Sequence, residues 1–234
     1  MSESLQHGSV QLAQSSRPRI LVTCFEPFGG SDINPTMLIA EALRGMPSAH
    51  GSREYVVLPV VGGVGSTSAW SKFLPVQSFF KPDAIVALGE SAKADRVHFE
   101  RVAVNLRDSR IADNEGVQVV GLPVLSLAPD EFFATLPLRT MMAACERTGT
   151  PAALSMSAGT FLCNELMFRL LAHEMSRGGE SALAGFLHVP QLPEQAALRG
   201  GPSMAIEHAA RGVHAAIEAL AKLLTAGTAR GETP

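Results

Sequence analysis

The chain is short of charge. Only 18% of its 234 residues are Asp, Glu, Lys or Arg, against roughly 25% in an average soluble domain. Nineteen Lys and Arg stand against 22 Asp and Glu, a formal net charge of −3 with no basic stretch. The electrostatic footprint of a nucleic-acid binder is therefore missing. Uninterrupted apolar runs are lacking too. The longest charge-free stretches, Tyr55 to Ser71 and Thr148 to Asn164, are broken by Gly, Pro, Ser or Thr, and neither reads as a membrane span. The polar residues 1–17 lack the apolar stretch of a secretory signal. Cysteine is scarce: Cys24, Cys145 and Cys163 are an odd set without CxxC or Cys/His metal spacing. That argues against a disulfide framework or a metal site and favours free thiols in a reducing cytoplasm.

What is present is hydrophobic bulk, 46% of the chain, enough to bury a substantial core and to exclude wholesale disorder. No repeat or linker divides it. Residues 1–17 and 226–234 read as tails, leaving one domain over 18–225. Within it, β-branched runs alternate with helical patterns. Ile20 to Thr23, Tyr55 to Val61 and Ala84 to Leu88 read as strands, as do Val97 to Asn105, Ala152 to Met156 and Ala184 to His188. The run at Ala84 is near-continuously apolar, as in a parallel strand buried on both faces. Helices are predicted after Asn34, over Leu138 to Arg147 and Cys163 to Met175, and as a closing amphipathic element from Met204 to Leu224. Pro35 suits a first helical position behind an Asn cap. Pro75 argues against a regular helix through Phe73 to Phe79. The Gly- and Pro-rich stretch from Arg107 to Pro137 reads as long loops or a hairpin. The alternation predicts an α/β fold: a single-domain, three-layer sandwich with a mostly parallel, twisted central sheet flanked by helices. In such a sheet the site lies beyond the carboxyl ends of the strands.

Cys163 is the most informative thiol. It follows a strand and the small-residue turn Ser157 to Thr160, where a helix begins, and a helix N-terminus favours thiolate over thiol. Cys24 and Cys145 read as small core hydrophobes. His188 ends a strand, which puts an imidazole on the same sheet edge as Cys163, a nucleophile beside a base. The other six histidines read as solvated or structural. Glu100, between apolar neighbours, either pairs with Arg101 or orients an imidazole, and the local pattern favours the ion pair. The clusters at Gly29-Gly30 and Gly62 to Gly65 match no phosphate-cradling motif.

Several motifs resemble the pyroglutamyl peptidase I family. They are Phe25-Glu26-Pro27-Phe28-Gly29-Gly30 with Ile33-Asn34-Pro35, then Glu100 to Asn105 with Arg110 to Gly116. Next come Ser157 to Asn164 around Cys163, and Gly185 to Pro190 around His188 with Pro193-Glu194-Gln195. Pro202-Ser203-Met204 completes the set. They fall in family order over roughly residues 19–224. The resemblance implies a cysteine peptidase that removes an N-terminal pyroglutamyl residue from peptides through a thiol acyl-enzyme. Its triad would be Cys163, His188 and Glu100, with Arg110 near the oxyanion and Phe25 and Phe28 lining the pocket. No cofactor and no metal are expected; composition already predicts a cytoplasmic location and no nucleic-acid or membrane partner. Homo-oligomers, dimer or tetramer, occur in that family. The chain departs from it at Gly89 to Arg96. Glu90 stands where some members carry Gln, and an ionised carboxylate there accepts a lactam N–H but repels a carbonyl oxygen. Two other readings remain open at this stage: a phosphorylase or nucleosidase on a related α/β fold, and a non-catalytic binding protein on the same scaffold.

Overall fold

The chain runs β1 (Arg19–Phe25), α1 (Pro35–Gly45), β2 (Ser52–Leu58), α2 (Ala69–Phe80), β3 (Ala84–Ser91), β4 (Val97–Glu100), β5 (Val102–Val104) and β6 (Glu131–Phe133). It continues through α3 (Leu138–Glu146), β7 (Ala152–Ser155), α4 (Leu162–Ser176), β8 (Leu183–Pro190), α5 (Pro193–Arg199) and α6 (Ile206–Thr225). This is a computed structural model, and it describes residues 17–227. The expected tails lie outside the described residues, except for Arg17, Ala226 and Gly227.

Among the described residues the main sheet has six strands in the order β2-β1-β3-β8-β4-β7. Every neighbouring pair is parallel except β4 with β8. The apolar run of β3 is buried up to Glu90, and all of β8 is buried, because helices cover both faces. Each fully buried aliphatic side chain there, such as Ile85 or Leu187, contributes about 1.5–3 kcal/mol relative to exposure. The connections through α1 and α2 cross the sheet in opposite directions, so right-handed crossovers put these helices on opposite faces. Helices α1 and α3 pack with α6, and α2 packs with α4. The three-layer, mostly parallel sandwich expected from the sequence is what the chain forms.

Local chemistry explains most boundaries. Asn34 caps α1, its Oδ1 accepting the Thr36 N–H at 3.0 Å, with Pro35 at the first position. In α6, Val213, Ile217 and Leu220 are fully buried on one face, the spacing of a core-facing stripe. Three expectations are corrected. Helix α2 continues through Pro75. The proline is exposed, so the carbonyl it deprives of a partner, that of Ser71, sits on the solvent side of the helix. The single strand expected over 97–105 is two, because the chain changes partners at Arg101. The Arg101 N–H still bonds Ser155 beyond β4, whereas its carbonyl accepts from Ala134, and β5 then pairs with β6 in a separate ribbon. Short helix α5 was not expected at all. The 107–137 stretch is largely loop, closed by the bridge between Arg107 and Leu122 and ending in β6 and the start of α3.

The connection leaving β1 goes to one side of the sheet, and the chain leaving β3 goes to the other. The crevice between their carboxyl ends is the topological switch point where open α/β sheets bind ligands.

Candidate active site

Helix α4 begins at that edge. After β7 the chain turns at Gly159, whose φ of 77° is a left-handed value that suits glycine. Cys163 is the second residue of the helix and is partly exposed. The first turn is held from two sides. Asn164 accepts the Val104 N–H at 2.9 Å and donates to the carbonyls of Val104 and Leu106. Buried Glu165 accepts from the Gly63 N–H and pairs with Arg107 at 2.8 Å and Arg169 at 3.0 Å. Two cations on one carboxylate leave little freedom to the turn that carries the sulfur.

His188 lies on β8, in register with Gly89 of β3 on one side and His98 of β4 on the other. Glu100 sits opposite Phe186, two residues before His188, and so forms a diagonal cross-strand pair with the imidazole. Such diagonals are within reach of long side chains. His188 Nδ1 meets Glu100 Oε1 at 2.8 Å. A carboxylate only accepts, so Nδ1–H donates, and Nε2 is left to face the thiol. The other carboxylate oxygen, Oε2, is buried with no protein partner among the described residues. The expected pairing of Glu100 with Arg101 gives way to this contact with His188. Burial alone would lower the pKa of His188. The negative charge of Cys163 and hydrogen bonds to Cys163 and Glu100 outweigh it and push the imidazole up to about 10. The β3 backbone passes close beneath the sulfur. A Cβ placed on Gly89 would lie 2.8 Å from Cys163 Sγ and 2.6 Å from the Phe186 ring, so only glycine leaves the thiol and imidazole room to meet.

Beside the thiol a cleft is lined by Phe25, Phe28, Phe161, Val60, Leu162, Asn34, Glu90 and Cys163. Phe28 and Phe161 face each other with ring centroids 6.5 Å apart. Glu90 is present, but its carboxylate is ion-paired with Arg199 of α5 and accepts from Gln195 at 3.4 Å. Burial raises the pKa of Glu90, while Arg199 and Gln195 pull against that rise. Arg110 is exposed in the loop between β5 and β6 and is not among the residues lining the cleft. A separate hollow by Ser78, Lys81 and Arg177 lies at the amino ends of the strands, away from the thiol. Cys24 and Cys145 are buried, and burial pushes both thiols up to about 12.

Sequence reading quoted Phe161, Asn164 and Gln195 within motifs but gave them no role, and it missed Glu165 and Arg199. Phe161, Asn164 and Glu165 lie within two residues of Cys163 and were readable as neighbours of a helix-start thiol. Arg199 carried no signal, because its partner lies 109 residues away.

A thiol, an imidazole and a carboxylate in line at the carboxyl edge of an α/β sheet have the constitution of a cysteine hydrolase. Comparison with known proteins narrows the class. The sequence pattern of the Pyroglutamyl peptidase family matches residues 18–223. The pyrrolidone-carboxylate peptidase of Pyrococcus furiosus is 39% identical over 212 residues, covering 88% of this chain and 100% of that protein. Pyrrolidone-carboxylate peptidase 2 of Photorhabdus laumondii is 36% identical, covering 87% and 92%. The crystal structure of pyroglutamyl peptidase I from Bacillus amyloliquefaciens superimposes with a TM-score of 0.80 at 32% identity, covering 87% and 95%. The chain belongs to the pyroglutamyl peptidase family of cysteine peptidases. The nucleoside-processing and binding-protein readings are not favoured by any of these likenesses.

Proposed function

We propose that the cleft receives an N-terminal pyroglutamyl ring and that Cys163 cleaves the peptide bond that follows it. The observation that carries this reading is His188, hydrogen-bonded through Nδ1 to Glu100 and electrostatically coupled to Cys163, beside a slot walled by phenylalanines. The ring is flat and uncharged, so aromatic faces can bury it without an ionic cost. Cys163 Sγ attacks the carbonyl carbon of the pyroglutamyl residue as a thiolate. The Cys163 backbone N–H, at the open end of α4, donates to the oxygen that becomes negative. His188 gives its proton to the leaving amine, freeing the shortened peptide and leaving a thioester. Water then attacks the thioester carbon as His188 takes its proton, and pyroglutamate departs as the sulfur leaves. Glu100 holds the imidazole with Nε2 toward the sulfur and stabilises its positive form. Arg110, exposed and outside the lining, has no step in this scheme. A reducing cytoplasm suits an enzyme whose sulfur must stay a free thiol.

Release of a chromophore from a pyroglutamyl anilide, with and without iodoacetamide, tests the assignment. Turnover abolished by the alkylating agent is expected. Turnover that survives full alkylation of Cys163 rejects it.

A further inference from the structure

Among the residues that line the cleft, Glu90 is the one that can carry a full charge besides the reacting thiol. Asn34 is uncharged, and its amide is engaged locally on both its oxygen and its nitrogen. Its Oδ1 accepts from Thr36, and its Nδ2 donates to the Glu26 carbonyl at 3.0 Å. The remaining residues of the wall are apolar. The charge preference of the slot therefore turns on the state of Glu90, and that state is governed from outside the cleft. The Glu90 side chain is 1% exposed and paired with the Arg199 guanidinium. Arg199 is held in place in turn: its Nε donates to Gln191 Oε1, and Gln191 Nε2 donates to the carbonyls of Gly200 and Pro202. The guanidinium fork thus meets one acceptor on β3 and one just after β8. Gln195 adds a second link, since the nitrogen that reaches Glu90 also donates to Ser31 Oγ and the Ile33 carbonyl.

We propose that Arg199 is a specificity-determining residue, which by cancelling the charge of Glu90 makes the slot accept a neutral lactam and reject a protonated amino terminus. An uncompensated carboxylate in so dry a wall would act strongly on any charge brought beside it. It would draw in an ammonium ion and repel the lactam carbonyl oxygen. With the guanidinium in place the wall has no net charge, and a free amino terminus loses its hydration without gaining a counter-ion.

This rests on the pyroglutamyl reading, and the test keeps the two apart. The probes are pyroglutamyl anilide as substrate and prolyl anilide as competitor, the latter with the same five-membered ring but a protonated amine and no lactam carbonyl. The proteins are wild type, Arg199→Lys, Arg199→Gln and the double variant Glu90→Gln/Arg199→Gln. Arg199→Gln keeps a donor for Glu90 but loses the charge. Its KM for the pyroglutamyl substrate is expected to rise about tenfold with kcat within about twofold, and inhibition by prolyl anilide to tighten by a similar factor. Arg199→Lys should lose less on both measures. The double variant, neutral again, should recover most of the lost kcat/KM and release prolyl anilide.

An Arg199→Gln protein with unchanged KM, or with no gain for prolyl anilide, overturns the proposal. So does equal loss in Arg199→Lys and Arg199→Gln, which would mark a purely structural clamp. The double variant decides the matter even if Arg199→Gln does not fold, because a neutral wall that discriminates more than tenfold worse than wild type contradicts it. A wild-type enzyme that leaves pyroglutamyl anilide intact is a different result, and it strikes the functional reading itself.

Discussion

A thiol resists ionisation when it is buried away from positive charge, and Cys24 and Cys145 are in that position, both pushed up to about 12. Cys163 is partly exposed at a helix start beside a protonated imidazole. Near neutral pH, iodoacetamide should therefore modify Cys163 alone, with labelling and loss of activity following one time course. Peptide mapping of partly inactivated enzyme checks this, and comparable labelling of either buried cysteine would contradict it. Glu100→Gln separates orienting from structural roles. The amide preserves shape but no longer stabilises the imidazolium, so kcat should fall by about 10²-fold or more with KM nearly unchanged. A loss confined to thermal stability would argue against the orienting role. Sequence pattern paired Glu100 with its neighbour Arg101, and only family resemblance pointed to His188. The reason is geometric: the diagonal contact depends on β4 lying beside β8 with His98 opposite His188. Nothing within nine residues around Glu100 declares that neighbour or that register.

At the scale of elements, exposed apolar or polar faces were readable and partner changes were not. Pro75 shows how a strong local rule is overruled. Ser68 caps α2, its hydroxyl accepting the Ser71 N–H, and Phe73 and Gln77 are buried, so cap and packing together carry the helix past the proline. Replacing it restores the missing N–H on a solvent-facing side. Pro75→Ala should thus stabilise the fold by about 1–3 kcal/mol, the gain in helix hydrogen bonding being offset in part by a freer unfolded chain. A melting scan reads this as about 2–4 °C for each kcal/mol. A lowered Tm would mean that the proline ring makes contacts the helix needs. Helix α5 was missed for the opposite reason. Pro193 at its first position and Gly200 just past its end, with φ of 75°, are fair boundary signals. Seven residues are too few for a periodic apolar stripe to show. With the helix went Gln195 and Arg199, and so the whole outer support of Glu90.

Across the molecule, pH acts through the same histidine. An imidazole whose folded pKa is raised from 6.5 to about 10 contributes stability that is complete below pH 6.5 and lost as pH rises toward 10. Wild type should therefore lose Tm steadily over that window. Cys163→Ser lacks the negative charge that favours the imidazolium, so its Tm should change less with pH. Parallel slopes for the two proteins would detach the effect from the Cys163–His188 pair. The alternation that predicted three layers was legible because burial on two faces leaves unbroken apolar strands, such as Ala84 to Leu88. The antiparallel insertion of β4 was not, since its four residues carry no mark of order in the sheet. That insertion makes enzymatic activity a clock for folding. Glu100 and His188 stand 88 residues apart in the chain, and their contact requires β4 to seat beside β8, which must itself lie against β3. Contacts so distant in sequence are slow to form, whereas helices such as α6 need only near neighbours. During refolding from denaturant, the far-ultraviolet helical signal should thus return before hydrolytic activity, and the interval between them would time the closing of the sheet.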